Sequence, residues 1–270
     1  MEPDEIRSRI QAREIVLGEG VVLEDGVTIA GPNGPAERVV LGDHVFIGAN
    51  SKFRTPVLEI GDYTQLHNHT LGNGYRPLRI GHNGWFGQNC ILNATDEMTI
   101  GNNVGVGAAS QLWTHIAFGD TLQGCRWDST KPMVIGDDVW FVGHCIVSPI
   151  TAASRAMALV GSVVTRDMEE NRVYAGSPAK DVTDKVGPQF APVSVEERVR
   201  RLCDRRATFL AANPDVAPEE IGVAADGAVV ERGATMFDVV RRTYTKRRTA
   251  AEVRFMRYLL PRAKFIPVTP

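Results

Sequence analysis

The residue in this chain best suited to catalysis is His115, in a stretch that runs from Ile100 to Trp140. On one side stands Leu112-Trp113-Thr114-His115, and on the other Lys131-Pro132-Met133-Val134-Ile135-Gly136-Asp137-Asp138-Val139-Trp140, with residues 116 to 132 inserted between them. An imidazole titrates near working pH, so it can take a proton from an attacking group. A base held on a rigid wall beneath a movable flap is suited to group transfer. The other histidines are placed less favourably. His44 and His82 fall at or beside turns, His67 and His69 lie one residue apart on the wall, and His144 follows Gly143.

The wall is written as a repeat. Leu17, Leu23 and Ile29 lie six apart, and the six-residue rhythm returns at Leu41-Gly42-Asp43 and Ile47-Gly48, and at Ile80-Gly81, Phe86-Gly87 and Leu92. It recurs at Ile100-Gly101, Val106-Gly107 and Leu112. Leu41, Ile60, Ile80 and Ile100 are separated by 19, 20 and 20 residues, about three hexapeptides and a small bulge. A fixed period of this length predicts stacked coils, each with one short strand per hexapeptide and its aliphatic residue pointing inward. Gly, Asn and Asp at the corners are expected because they tolerate positive φ. A sandwich of independent strands has no reason to keep one register for so long.

Three interruptions break the repeat: Gly31-Pro32-Asn33-Gly34-Pro35, Asn73-Gly74-Tyr75-Arg76-Pro77, and residues 116 to 132, which stretch the Ile100 to Ile135 spacing to 35. The next coil is expected to degenerate at Thr151-Ala152-Ala153-Ser154-Arg155. Residues 1 to 14 read as a short charged helix or lead-in. After Pro178 the period is lost. Ser194-Val195-Glu196-Glu197 reads as a capping box, followed by a helical face of Val199, Leu202, Phe209 and Leu210. A turn is expected at Asp226-Gly227, and Phe237, Val240, Tyr244, Val253, Met256 and Leu259 suggest further short helices. The expected division is a β-helix domain over 1–187, carrying the inserted loop, and a mostly helical extension over 188–270, whose basic residues from Arg241 to Arg248 read as a solvated face.

Composition narrows the classes. The 270 residues carry a net charge of -2, which offers no general attraction to nucleic acid or an anionic membrane. The four cysteines are widely spaced without a CxxC pair, so reduced thiols are expected rather than a disulfide framework or zinc module. The acidic start is followed by no apolar run of the kind found in signal peptides or membrane spans, and a soluble, cytoplasmic protein is the expectation.

The hexapeptide repeats, Leu112-Trp113-Thr114-His115, the segment from Lys131 to Gly143, and Gly161-Ser162-Val163-Val164-Thr165-Arg166-Asp167 with Ala175-Gly176-Ser177-Pro178-Ala179-Lys180 together resemble the left-handed parallel β-helix acyltransferases. Within that superfamily the chain looks most like the sugar and surface-polysaccharide O-acetyltransferases, which include the maltose and galactoside enzymes. The likeness covers roughly residues 17 to 185. It implies a homotrimer, with acetyl-CoA as co-substrate in the groove between subunits and no metal. It implies that His115 is the general base, with a backbone N–H for the oxyanion. Gly143, Val160, Gly161 and Ser162 match positions lining the pantetheine, and Thr165, Arg166 and Lys180 match positions near the nucleotide end, where cations pair with phosphate. Asn89, Asn93 and Asp96, one coil before His115, could hydrogen-bond sugar hydroxyls, and Trp113 and Trp127 could stack on a sugar face.

Some positions depart from the pattern. Arg166 stands where lysine is more usual, Val142 replaces a glycine, and Ala117 occupies a site where many relatives carry a second histidine. The same scaffold also acylates sugar amines, so N-acylation of an amino sugar remains open, as does a hydrophobic antibiotic acceptor. A non-catalytic or zinc-binding β-helix is the competing class. His67, His69 and His82 copy the three-histidine zinc set of β-helix carbonic anhydrases poorly.

Overall fold

A computed structural model describes residues 3–226 and 233–268. The chain divides into two compact units between Phe190 and Ala191. The first is the left-handed parallel β-helix that the repeat predicts, with sheets of seven, nine and seven strands forming three faces. Successive coils stack in register, so that Leu17, Leu41, Ile60, Ile80, Ile100, Ile135 and Ala152 form one continuous rung-to-rung column. From Leu41 onward every member of that column is buried, which is the physical content of the six-residue period: one inward aliphatic per hexapeptide, meeting its equivalent one coil away. The short helix Pro3–Ser8 brings Ile6, with Ile10 just beyond it, onto the end of this core.

The corners carry the expected positive φ on Asn and Asp residues and on Gly20 and Gly26, but not on the glycine of Ile-Gly. The residue that takes the left-handed conformation is not the glycine of Ile-Gly but the residue two places after it, as at His44, Tyr63, Asn83, Asn103 and Asp138, all with φ between 57 and 61°. The glycine is needed for close approach. A Cβ on Gly101 would lie 2.5 Å from Asp137 Oδ1, and one on Gly107 would lie 1.9 Å from the Val142 carbonyl oxygen. Between them, the residue after each glycine builds a ladder. Asp62 accepts from the Asp43 N–H at 3.0 Å, His82 Nδ1 from Asp62 at 2.8 Å, Asn102 from His82 at 2.9 Å, and Asp137 from Asn102 at 2.6 Å. The coil expected to degenerate keeps the corner: Arg155 has φ 64° and Ser154 Oγ accepts from the Asp137 N–H at 3.2 Å.

The inserted loop is an ordered hairpin. His115–Ala117 pairs antiparallel with Asp128–Thr130, and a 3-10 turn, Thr121–Gln123, is capped by the Asp120 side chain. Ile116, Phe118, Leu122 and Trp127 are exposed along it.

The second unit differs from the mostly helical expectation. Val195–Ala212 and Ala250–Leu259 are helices, but the segments between and after them form a four-stranded sheet. Phe237 and Tyr244 lie on adjacent strands, Thr235–Asp238 and Thr243–Thr245, with rings 5.5 Å apart. Their aromatic and β-branched neighbours suit a strand, and Asp238 Oδ1 accepts from the Val240 and Arg241 N–H groups, closing a turn that a helix through this region would forbid. Ser194 does cap the first helix by accepting from the Glu197 N–H, while the Glu197 carboxylate turns to Arg200 and Arg201, which hold it down at about 2. The turn expected at Asp226-Gly227 runs into residues 227–232, outside the described residues.

Candidate functional site

His115 sits where the third face gives way to the hairpin, and the residue before it fixes that place. Thr114 is fully buried; its hydroxyl donates to the Asn93 carbonyl at 2.8 Å and accepts from the Asp96 N–H at 2.9 Å. Its carbonyl accepts from the Lys131 N–H at 3.0 Å, tying the two roots of the hairpin together. The His115 side chain is held separately. Asn93 Oδ1 accepts from the Thr95 N–H at 3.2 Å and the Thr95 hydroxyl at 2.8 Å. Because a backbone N–H can only donate, the amide atom facing it is the oxygen. His115 Nδ1 lies 3.0 Å from that same oxygen and so carries the proton. In the neutral imidazole this tautomer puts the lone pair on Nε2, the form a general base requires. Trp113 meets the imidazole edge-on, with ring centroids 5.8 Å apart.

An open cleft of about 560 Å³ begins at His115 and runs along the third face toward the N-terminal coils. Asn93 and Thr95 line it beside the histidine, then Leu71, Asn73, Gly74 and Tyr75, then Lys52 and Arg54, with Pro32 and Asn33 at the far end. The ladder sets the order, since Arg54 is in register with Asn73 and Asn73 with Asn93. Two interruptions of the repeat, at residues 31–35 and 73–77, thus become walls of the cleft. They were visible in the sequence as broken periodicity, whereas nothing there linked Lys52, Arg54, Asn73 or Tyr75 to His115. Asn73 lines the cleft, while its Oδ1 is buried with no hydrogen-bond partner.

Of the residues singled out as acceptor contacts, Asn93 lies in the cleft and touches the histidine, and Trp113 packs on the imidazole. Asn89 is instead an exposed corner residue with φ 60°, and Asp96 Oδ1 accepts from the Glu97 N–H behind the hairpin root. Trp127 is 76% exposed on the hairpin. The other histidines serve the corners and the wall. His44, His69 and His144 occupy left-handed corners, His82 belongs to the ladder, and His67 packs between Phe46 and Trp85. Among the described residues no group of three or more His, Cys, Asp or Glu side chains converges to hold a metal ion.

The positions matched to the donor lie on later coils, on the far side of His115 from the cleft. Gly161 donates its N–H to the Gly143 carbonyl at 2.9 Å, stacking two corners. A Cβ on Gly161 would meet open space, and Val160 beside it is 66% exposed. Ser162 is buried and its hydroxyl donates to the Leu159 carbonyl at 2.6 Å, so its side chain is not presented outward. Thr165, Arg166 and Lys180 are exposed. An accessible corner of small residues followed by exposed cations is compatible with an extended chain that ends in phosphates.

No family model matches the chain. It is 32% identical over 105 residues to YJL218W of Saccharomyces cerevisiae, named as a candidate acetyltransferase, a match covering 37% of this chain and 53% of that one. It is 26% identical over 171 residues to the bifunctional protein GlmU of Exiguobacterium sibiricum, covering 62% of this chain and 30% of that one. The chain therefore spans about half and about a third of the curated relatives it matches. Among solved structures, the UDP-N-acetylglucosamine acyltransferase from Campylobacter jejuni aligns with TM-score 0.49 at 16% identity, over 78% of this chain and 79% of that one.

Proposed function

The chain resembles the hexapeptide-repeat acyltransferases, and from that resemblance we propose that it transfers an acetyl group from acetyl-CoA to a hydroxyl of a sugar, with His115 as general base. The observation that carries the reading is the Thr95–Asn93–His115 chain, which favours the neutral tautomer with its lone pair on Nε2, beside an open cleft. The acetyl thioester supplies the activated carbonyl. Nε2 takes the acceptor hydroxyl proton as the oxygen attacks; when the carbon–sulfur bond breaks, the imidazolium returns that proton to the departing thiolate. The charge on His115 is thereby restored within one turnover. Asn73 and Asn93 orient the sugar, and the exposed ring of Tyr75 offers a face for stacking.

In this reading residues 1–187 are the transferase domain and 188–270 an appendage to it. The working form is a cytoplasmic homotrimer in which a neighbouring subunit walls the donor groove formed around Gly143, Val160, Gly161, Ser162, Thr165, Arg166 and Lys180. Among the described residues no helix is long and apolar enough to cross a membrane. The test is thiol release from acetyl-CoA against a panel of sugars, sugar nucleotides and amino sugars. Release with one acceptor, falling by about 10²- to 10⁴-fold in His115→Ala, is the expected result; equal turnover by the variant would overturn it. Sedimentation showing only monomers would remove the inter-subunit donor groove.

A further inference from the structure

Lys52 and Arg54 lie two apart on one short strand, so both project outward from the third face into the cleft that begins at His115. Both are exposed, and among the described residues neither side chain makes an ion pair or a hydrogen bond. Their in-register neighbours bring no carboxylate: Lys52 pairs with Thr28 and Leu71, and Arg54 with Ala30 and Asn73.

The first face of the same coils handles charge differently. Arg38 lies 3.2 Å from Glu14 and 3.1 Å from Glu59, and Arg79 bonds Glu59 and Glu97, so that signs alternate from rung to rung. Two adjacent cations without a counter-charge repel one another, and the repulsion is relieved by an anion held between them.

From this contrast we infer that the acceptor is an acidic sugar, whose carboxylate or phosphate is gripped by Lys52 and Arg54 while a hydroxyl reaches His115. The inference rests on the reading of this cleft as the acceptor site. Arg54 and Asn93 are two rungs apart, about 10 Å at the spacing of paired strands, a span that a short saccharide covers. The planar guanidinium suits two-point contact with a carboxylate or phosphate, and the ammonium adds a second charge. Asn73 stands between them in register and lines the same cleft. The anion site is distinct from the residues matched to the coenzyme's phosphates. Thr165, Arg166 and Lys180 belong to later coils, whereas the cleft extends from His115 toward the earlier ones.

The experiment is retention of the labelled full-length protein on an array that pairs neutral glycans with uronate-containing and phosphorylated counterparts. It is run for the wild type, Lys52→Gln and Arg54→Gln, with melting curves to confirm that each is folded. The expected result is selective retention of acidic glycans, weakened by salt and reduced roughly tenfold or more by each cation substitution. Retention of uronates identifies a carboxylate and retention of phosphorylated sugars a phosphate. Preference for neutral glycans, retention unaffected in both cation variants, or no retention of any acidic glycan would overturn the inference. Acidic glycans retained through Lys52 and Arg54 but not acetylated in the thiol-release assay would leave the anion site standing and remove the transferase reading.

Discussion

His115 takes its protonation pattern from Asn93, and Asn93 takes its orientation from Thr95. Replacing Asn93 with Ala frees the imidazole to rotate and to place its proton on either nitrogen. Steady-state kinetics should then show kcat reduced by about tenfold or more with little change in KM for acetyl-CoA, and a smaller loss for Thr95→Val. An unchanged kcat in Asn93→Ala would mean that the histidine is oriented by something else. A second expectation concerns the thiols. Burial pushes the Cys90 thiol up to about 11, whereas Cys203 is exposed. At pH 8 a thiol–disulfide exchange reagent should label Cys203 first and leave Cys90 untouched until the chain unfolds, because the thiolate is the reactive species and Cys90 is both protonated and shielded. Peptide mapping after brief labelling checks this.

The coil is stabilised at its corners by two devices that a short period conceals. Each Ile-Gly glycine lets the next coil come within 3.0 Å of where a Cβ would stand, and each following polar residue accepts the previous coil's N–H. Asn102→Ala removes the acceptor of the His82 N–H, which should cost about 1–3 kcal/mol and lower the melting temperature by several degrees. Gly107→Ala should cost more, because the added methyl meets the Val142 carbonyl rather than a movable side chain. A thermal shift larger for Asn102→Ala than for Gly107→Ala would contradict this ranking. The hairpin is an element of the same kind of argument. The sequence shows an insertion after His115, but only the pairing of His115 with Thr130 reveals that the histidine is itself part of the hairpin's root.

At the scale of the molecule, each unit has its own core. The β-helix buries a continuous column of aliphatic side chains, and the second unit buries Leu202, Phe209, Phe237, Tyr244, Phe255, Met256 and Leu259. A chain ending at Phe190 should therefore melt cooperatively with a β-type circular dichroism spectrum. A non-cooperative melt would mean that the first unit depends on the second.

The coil architecture, the place of its three interruptions and the candidacy of His115 were legible in the sequence. Inward aliphatics must recur every six residues, and that recurrence is a property of neighbouring residues along the chain. The second unit was legible only in part: Leu202 and Phe209 mark a true helix, while Phe237 and Tyr244 at near-helical spacing belong to strands, since their partners come from sequence-distant segments. The cleft was legible only at its His115 end, where Asn93 was expected one coil before the histidine. Lys52, Asn73, Asn93 and His115 are brought together by register, one coil stacked upon the next, and it is stacking rather than adjacency that decides which outward side chains share a surface. The Ile-Gly glycines make the same point, for their role lies in the distance to the following coil and not in their own backbone angles.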